Sequence, residues 1–205
     1  MPKFKQKVLN LAEARVSYLG KITPIDEALK LLFLGMVPKS VTPNNITVFR
    51  FATIPFIVWF LCSEWYLAAT ILFIFSAFSD ALDGALARTT NRITRWGILA
   101  DPLADKLLVG SVGIILISRF LSWKLAALIV ILEILIIASA YYRYRGKIVP
   151  AKLPGKIKML LQCVGIILLF FYVLFGGGLW IFFSALSLSL SVVFALLSLL
   201  LYKSI

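Results

Sequence analysis

The chain has 205 residues, 61% of them hydrophobic, with 21 Lys and Arg against 9 Asp and Glu for a net charge of +12, and no histidine. That apolar share lies well above the ~45–50% of a soluble domain and reads as a polytopic membrane protein. The basic excess then reads as a cytosolic face meeting anionic headgroups rather than as a nucleic-acid surface. Lack of His excludes His-bearing metal sites, Ser-His-Asp triads and His-nucleophile chemistry, so any general base is Asp, Glu, Lys, Tyr or a bound water.

The first residues are charged and lack a short apolar core with a small-residue cleavage site, so no secretory signal is expected. Residues 1–23 form a basic arm with Lys3, Lys5, Lys7, Arg15 and Lys21. Apolar residues recur there at helical period, which leaves a solvated arm and a surface helix as equal readings. Thr23-Pro24 then starts a helix, with Asp26 and Glu27 in its first turn. Ala28–Met36 is apolar but falls short of the ~20 residues that span a bilayer. Residues 24–37 are therefore expected to form an amphipathic helix lying in the cytosolic interface.

Residues 42–205 read as one all-α domain of six membrane spans. Thr42-Pro43-Asn44-Asn45 caps the first, Ile46–Cys62. Arg50 lies near its cytosolic end, either snorkelling to headgroups or facing an internal anionic site. The second span, about Tyr66–Arg88, follows a short turn at Glu64-Trp65. A basic turn, residues 89–95, leads to the third, about Trp96–Ser118, where Pro102 leaves a carbonyl unpaired unless it lies in the first helical turn. The fourth runs from Leu125 to about Tyr142, the fifth from about Ile157 to Phe175, and the sixth from Leu179 to Tyr202 after Gly176-Gly177-Gly178. Cys62 and Cys163 lie in or beside spans, and no disulfide is drawn from them. The outer loops hold only Arg119 and Lys124, so the positive-inside rule places both termini in the cytosol.

Four of the acids gather between Asp80 and Asp105, at the facing ends of the second and third spans. A carboxylate at the centre of a bilayer helix costs about 2.5–3.5 kcal/mol on insertion scales, and four together repel one another. Asp80 and Asp83 share one helix face; Asp101 and Asp105 share another, with Gly97 four residues before Asp101. A short turn makes the two helices antiparallel neighbours, so the pairs can oppose each other across a cleft. Oxygen-only ligands select Mg²⁺, Mn²⁺ or Ca²⁺. Four carboxylates suit two such ions, the arrangement that clamps a phosphoryl group during in-line displacement. Gly84 and Gly97 let a bulky ligand approach the backbone, and Arg88 can fork onto a phosphate.

Asp80-x2-Asp83-Gly84-x2-Ala87-Arg88-x8-Gly97-x3-Asp101-x3-Asp105 resembles the signature of the CDP-alcohol phosphotransferases at all eight fixed positions. The likeness extends to the six-span layout and the interfacial helix. It implies transfer of a phospho-alcohol group from a CDP-linked donor to a hydroxyl, with release of CMP. It implies that Asp80, Asp83, Asp101 and Asp105 hold two divalent cations, Mg²⁺ or Mn²⁺. Asp105 would also take the acceptor's proton, and Gly84, Ala87, Arg88, Gly97 and Thr47 would form the CDP site.

Thr47-x-x-Arg50, Asp101-Pro-Leu-Ala-Asp-Lys106 and Gly155-Lys-Ile-Lys158 with Gln162 resemble the phosphatidylglycerophosphate synthases. These attach a phosphatidyl group from CDP-diacylglycerol to glycerol 3-phosphate. Where those enzymes carry Arg-Glu in the fourth span, this chain has Leu132-Glu133; Arg143, Lys156 or Lys158 would then take up the acceptor with Glu133. The CDP-alcohol type of cardiolipin synthase, with phosphatidylglycerol as acceptor, is the alternative. Outside the family stand a transporter, disfavoured because the acids cluster at one membrane face rather than the midplane, and a scaffold, which leaves the aspartates without a purpose. The resemblance implies an integral protein of a bacterial-type plasma membrane, with its active site cytosolic. It also implies a homodimer, for which Ser184, Ser187, Ser189 and Ser191 offer small residues for close helix contact, lipid-facing packing being equal.

Overall fold

The computed structural model describes residues 43–90, 95–143 and 153–203, with side chains described for residues 45–79, 100–139 apart from Pro102, and 153–200. The basic arm and the interfacial helix expected over 24–37 lie outside these residues. Six α-helices and no strands make up the described chain: α1 Pro43–Cys62, α2 Tyr66–Thr90, α3 Arg95–Phe120, α4 Trp123–Arg143, α5 Leu153–Phe175 and α6 Gly178–Lys203. Three described stretches are long and apolar enough to cross a membrane, Asn45–Cys62, Leu153–Phe175 and Gly178–Leu200, and α2 adds a shorter apolar run, Tyr66–Ser79.

Helix starts and stops follow local chemistry. Pro43 opens α1, where a missing N–H costs nothing. Its other end closes in a Schellman turn: Trp65 N–H donates to the Phe60 carbonyl at 2.8 Å and Glu64 N–H to the Leu61 carbonyl at 3.3 Å. Glu64 holds the left-handed position there, with φ of 66°. Arg119 pairs with the Glu64 carboxylate at the surface and lies 5.8 Å from the Tyr66 ring centre. At the end of α5, Gly176 and Gly177 supply the positive φ values of the last turn, 69° and 96°. Gly178, expected in the same turn, is instead the first residue of α6. Trp59, Trp65 and Trp123 are more than half exposed near these turns, as aromatic residues are at a membrane–water boundary. Cys62 and Cys163 are not joined in a disulfide.

The described residues divide into two units, one with 43–57, 71–90 and 95–108, the other with 58–70, 109–143 and 153–203. The first has a polar interior. Thr47, Arg50 and Thr53 of α1 are buried at helical spacing, as are Ser76 and Ser79 of α2. Ala100 and Ala104 of α3 are buried in the same unit, and small side chains let helices approach closely. Thr53 donates to the Arg50 carbonyl at 2.8 Å, and its hydroxyl meets that of Ser76 at 3.0 Å.

In the second unit α6 packs on α5 and α4. The serines of α6 serve this packing. Ser184 donates to the Gly165 carbonyl and Ser187 to the Leu161 carbonyl, both at 2.8 Å. Ser191 is buried too, bonded within its own helix, and of the four serines read as a contact face only Ser189 is exposed. The small-residue stripe is thus turned into the chain rather than toward a partner. A Cβ at Gly165 would sit 2.6 Å from the branch carbon of Leu188. Leu188 is fully buried, so any shift it makes disturbs packed neighbours. Gly165→Ala should therefore lower stability by about 1–3 kcal/mol, the range for overpacking, read from thermal or denaturant unfolding in detergent.

Candidate active site

α3 runs without interruption from Arg95, so Asp101 and Asp105 fall one turn apart on one face. Ala100, Ala104 and Leu108 are buried, Leu103 and Leu107 are exposed, and the two carboxylates are half-buried between those stripes. Pro102 lies beyond the first turn of this helix. Having no N–H, it leaves the Ile98 carbonyl without its usual helical donor, in the stretch that carries the aspartates.

A hydrogen bond from α1 holds Asp101. Thr47 Oγ1 donates to Asp101 Oδ1 at 2.7 Å, across 54 positions of sequence. Thr47 is 1% exposed, so the donor side of the bond is buried, while Asp101 is half-buried. One turn further along α1, Arg50 has no exposed surface at all. Of the two sequence readings for this arginine, the structure has the interior one. Its guanidinium brings a positive charge to the interior of the unit that carries the carboxylates.

α2 continues unbroken to Thr90, so Asp80 and Asp83 stand three residues apart on a helix, as their spacing predicts. Ser76 and Ser79, in the turn before Asp80, are buried, and Ser79 donates to the Ser76 carbonyl at 2.7 Å. The side chains of Asp80, Asp83, Gly84, Ala87, Arg88 and Gly97 lie outside the described residues, and so does the turn between α2 and α3. Among the described residues no group of three or more metal-ligating side chains assembles. Asp101 itself fits a hard cation: an oxygen donor, half-buried, with one oxygen fixed by a neutral hydroxyl.

In the second unit Glu133 of α4 forms an ion pair with Lys158 of α5. Lys158 is 6% exposed, and Leu132, the neighbour of Glu133 in α4, is buried. Glu133 thus takes its cation from another helix. Lys156 is exposed, and the Arg143 side chain lies outside the described residues. Sequence reasoning named Glu133 and Lys158 separately without joining them. The signal was available: a lone acid in one apolar helix and a lysine inside the next each need a partner of opposite sign. The Thr47–Asp101 bond had a weaker signal, a hydroxyl one turn before a buried cation.

A model of the CDP-alcohol phosphatidyltransferase family matches residues 40–200. The chain is 32% identical over 157 residues to the CDP-diacylglycerol–glycerol-3-phosphate 3-phosphatidyltransferase of Escherichia coli strain K12, an overlap of 71% of this chain and 83% of that one. The enzyme of the same name from Salmonella choleraesuis is 30% identical over the same shares. The chloroplastic rice enzyme, from Oryza sativa subsp. japonica, is 38% identical over 102 residues, 49% of this chain and 31% of its own length. The aspartate signature carried on α2 and α3 and this match across most of the chain agree: the protein belongs to the CDP-alcohol phosphatidyltransferase family of enzymes.

Proposed function

We propose that this protein is an integral-membrane phosphatidyltransferase that moves a phosphatidyl group from CDP-diacylglycerol to glycerol 3-phosphate. The products are phosphatidylglycerophosphate and CMP. The observation that carries this is the complete eight-position aspartate signature on α2 and α3, with Asp101 already held by Thr47. The names of the bacterial relatives support glycerol 3-phosphate as the acceptor. In this reading α1 to α6 are six spans, both termini and the site are cytosolic, and the membrane is a bacterial-type plasma membrane. Two copies associate through faces other than the buried serines of α6.

Asp80, Asp83, Asp101 and Asp105 would hold two divalent ions, Mg²⁺ or Mn²⁺. Bound there, the ions supply charge neutralisation for the pyrophosphate and for the departing CMP. The chain does the rest. Gly84, Ala87 and Gly97 leave room for the nucleotide, and Arg88 forks onto a phosphate oxygen. Asp105 takes the proton of the acceptor hydroxyl as its oxygen attacks the phosphatidyl phosphorus. The bond from that phosphorus to the CMP oxygen breaks, and CMP leaves with the electron pair. Lys158, held by Glu133, would meet the acceptor's phosphate, with Lys156 and Arg143 as further basic groups.

The test offers radiolabelled CDP-diacylglycerol with glycerol 3-phosphate, phosphatidylglycerol, inositol phosphate and serine in parallel, then identifies the product lipid. Phosphatidylglycerophosphate is expected. Cardiolipin from phosphatidylglycerol would replace the acceptor named here, and no CMP release with any acceptor would remove the reaction itself. Metal-dependent ion flux in liposomes free of CDP-lipid would instead point to a transporter.

A further inference from the structure

We infer that Thr47 is a positioning residue for the cation-binding carboxylate Asp101, not a contact for the nucleotide. The inference rests on the two-ion reading above and deepens it. Thr47 is buried, and its hydroxyl proton is committed to Asp101 Oδ1 at 2.7 Å. A β-branched side chain in a helix has few χ1 choices, so the hydroxyl is aimed rather than swinging.

The α1 face that carries Thr47 is itself tied down. Arg50 is buried one turn on, and a turn further Thr53 bonds the Arg50 carbonyl and the Ser76 hydroxyl of α2. The same α1 face therefore reaches both helices of the signature, α3 through Thr47 and α2 through Thr53. With Oδ1 held, one oxygen of the Asp101 carboxylate is placed before a cation arrives. Partners that orient a metal ligand in this way are worth about 10–100-fold in affinity. A bond that only packed α1 against α3 would support stability and leave cation affinity alone.

The experiment titrates the purified full-length protein in detergent with Mn²⁺, following the free-ion electron paramagnetic resonance signal, for wild type, Thr47→Val, Thr47→Ala and Thr47→Ser. Val keeps the shape and removes the hydroxyl, whereas Ser keeps the hydroxyl and removes the methyl. Val and Ala should weaken Mn²⁺ binding about 10–100-fold. Ser should restore it to within a few-fold, and KM for CDP-diacylglycerol at saturating Mn²⁺ should stay unchanged in all. Should Thr47→Val fail to accumulate, the Ala and Ser pair reads the same contrast.

Unchanged Mn²⁺ affinity in the Val and Ala variants, with only a lower melting temperature, would overturn the inference. So would a raised KM for CDP-diacylglycerol at unchanged Mn²⁺ affinity, which returns Thr47 to the nucleotide. Wild-type protein that binds no Mn²⁺ would overturn the two-ion reading and this inference together, so the two failures are told apart by the wild-type titration.

Discussion

Replacing Asp105 with Ala is expected to reduce CMP release by at least about 10³-fold while leaving the protein inserted and helical. Two roles are lost at once. A positioned general base contributes about 10²–10⁴-fold on its own, and the same carboxylate is one of four proposed cation ligands. Asp105 is half-buried on α3, on the same face as Asp101 and beside the buried Ala104, whose packing the substitution leaves alone. Asp83→Ala should lose activity comparably through the cations alone. CMP release measured with saturating Mn²⁺ and CDP-diacylglycerol checks both. Full activity in either variant would count decisively against the assignment.

The largest expected effect on stability belongs to the Glu133–Lys158 pair. Their side chains are 28% and 8% exposed, so little solvent screens the charges. Removing one member of a buried ion pair leaves the other uncompensated, at a cost of about 3–5 kcal/mol, whereas replacing both with apolar groups is often nearly neutral. Glu133→Leu alone should therefore unfold readily in detergent, and Glu133→Leu with Lys158→Met should regain most of the loss. The double variant then separates packing from chemistry. If Lys158 meets the acceptor's phosphate, the stable double variant still shows a KM for glycerol 3-phosphate raised at least about tenfold, as expected when a charged hydrogen bond worth about 1.5–3 kcal/mol is lost. An unchanged KM would confine the pair to holding α4 against α5.

Much of the fold could be read from the sequence because the strongest signals are crude ones. Apolar runs, the Pro43 start, the Glu64-Trp65 turn and the glycine turn fixed helix ends to within a few residues, with α5 starting four residues early at Leu153. Near-continuous apolar helices, by contrast, give no clue to their orientation. That is why Ser184 and Ser187 of α6, which offered two outward readings, took neither: a hydroxyl in an apolar setting seeks the nearest carbonyl, and Gly165 and Leu161 supply them. The proposed ligand residues stand out in the sequence because carboxylates in apolar helices need a reason. What holds Asp101 did not, since Thr47 resembles any other hydroxyl until its distant partner is known.

The hairpin of α5 and α6 bears on how the protein is built. A free α6 would have to turn the hydroxyls of Ser184 and Ser187 back onto its own carbonyls, as Ser191 does, and forgo two bonds to α5 worth about 0.5–1.5 kcal/mol each. Joined by only Gly176 and Gly177, the two helices can meet as soon as both leave the ribosome. Biogenesis is therefore favoured to deliver them to the bilayer as a pair, and a long spacer inserted between those glycines should slow maturation without touching the catalytic chemistry.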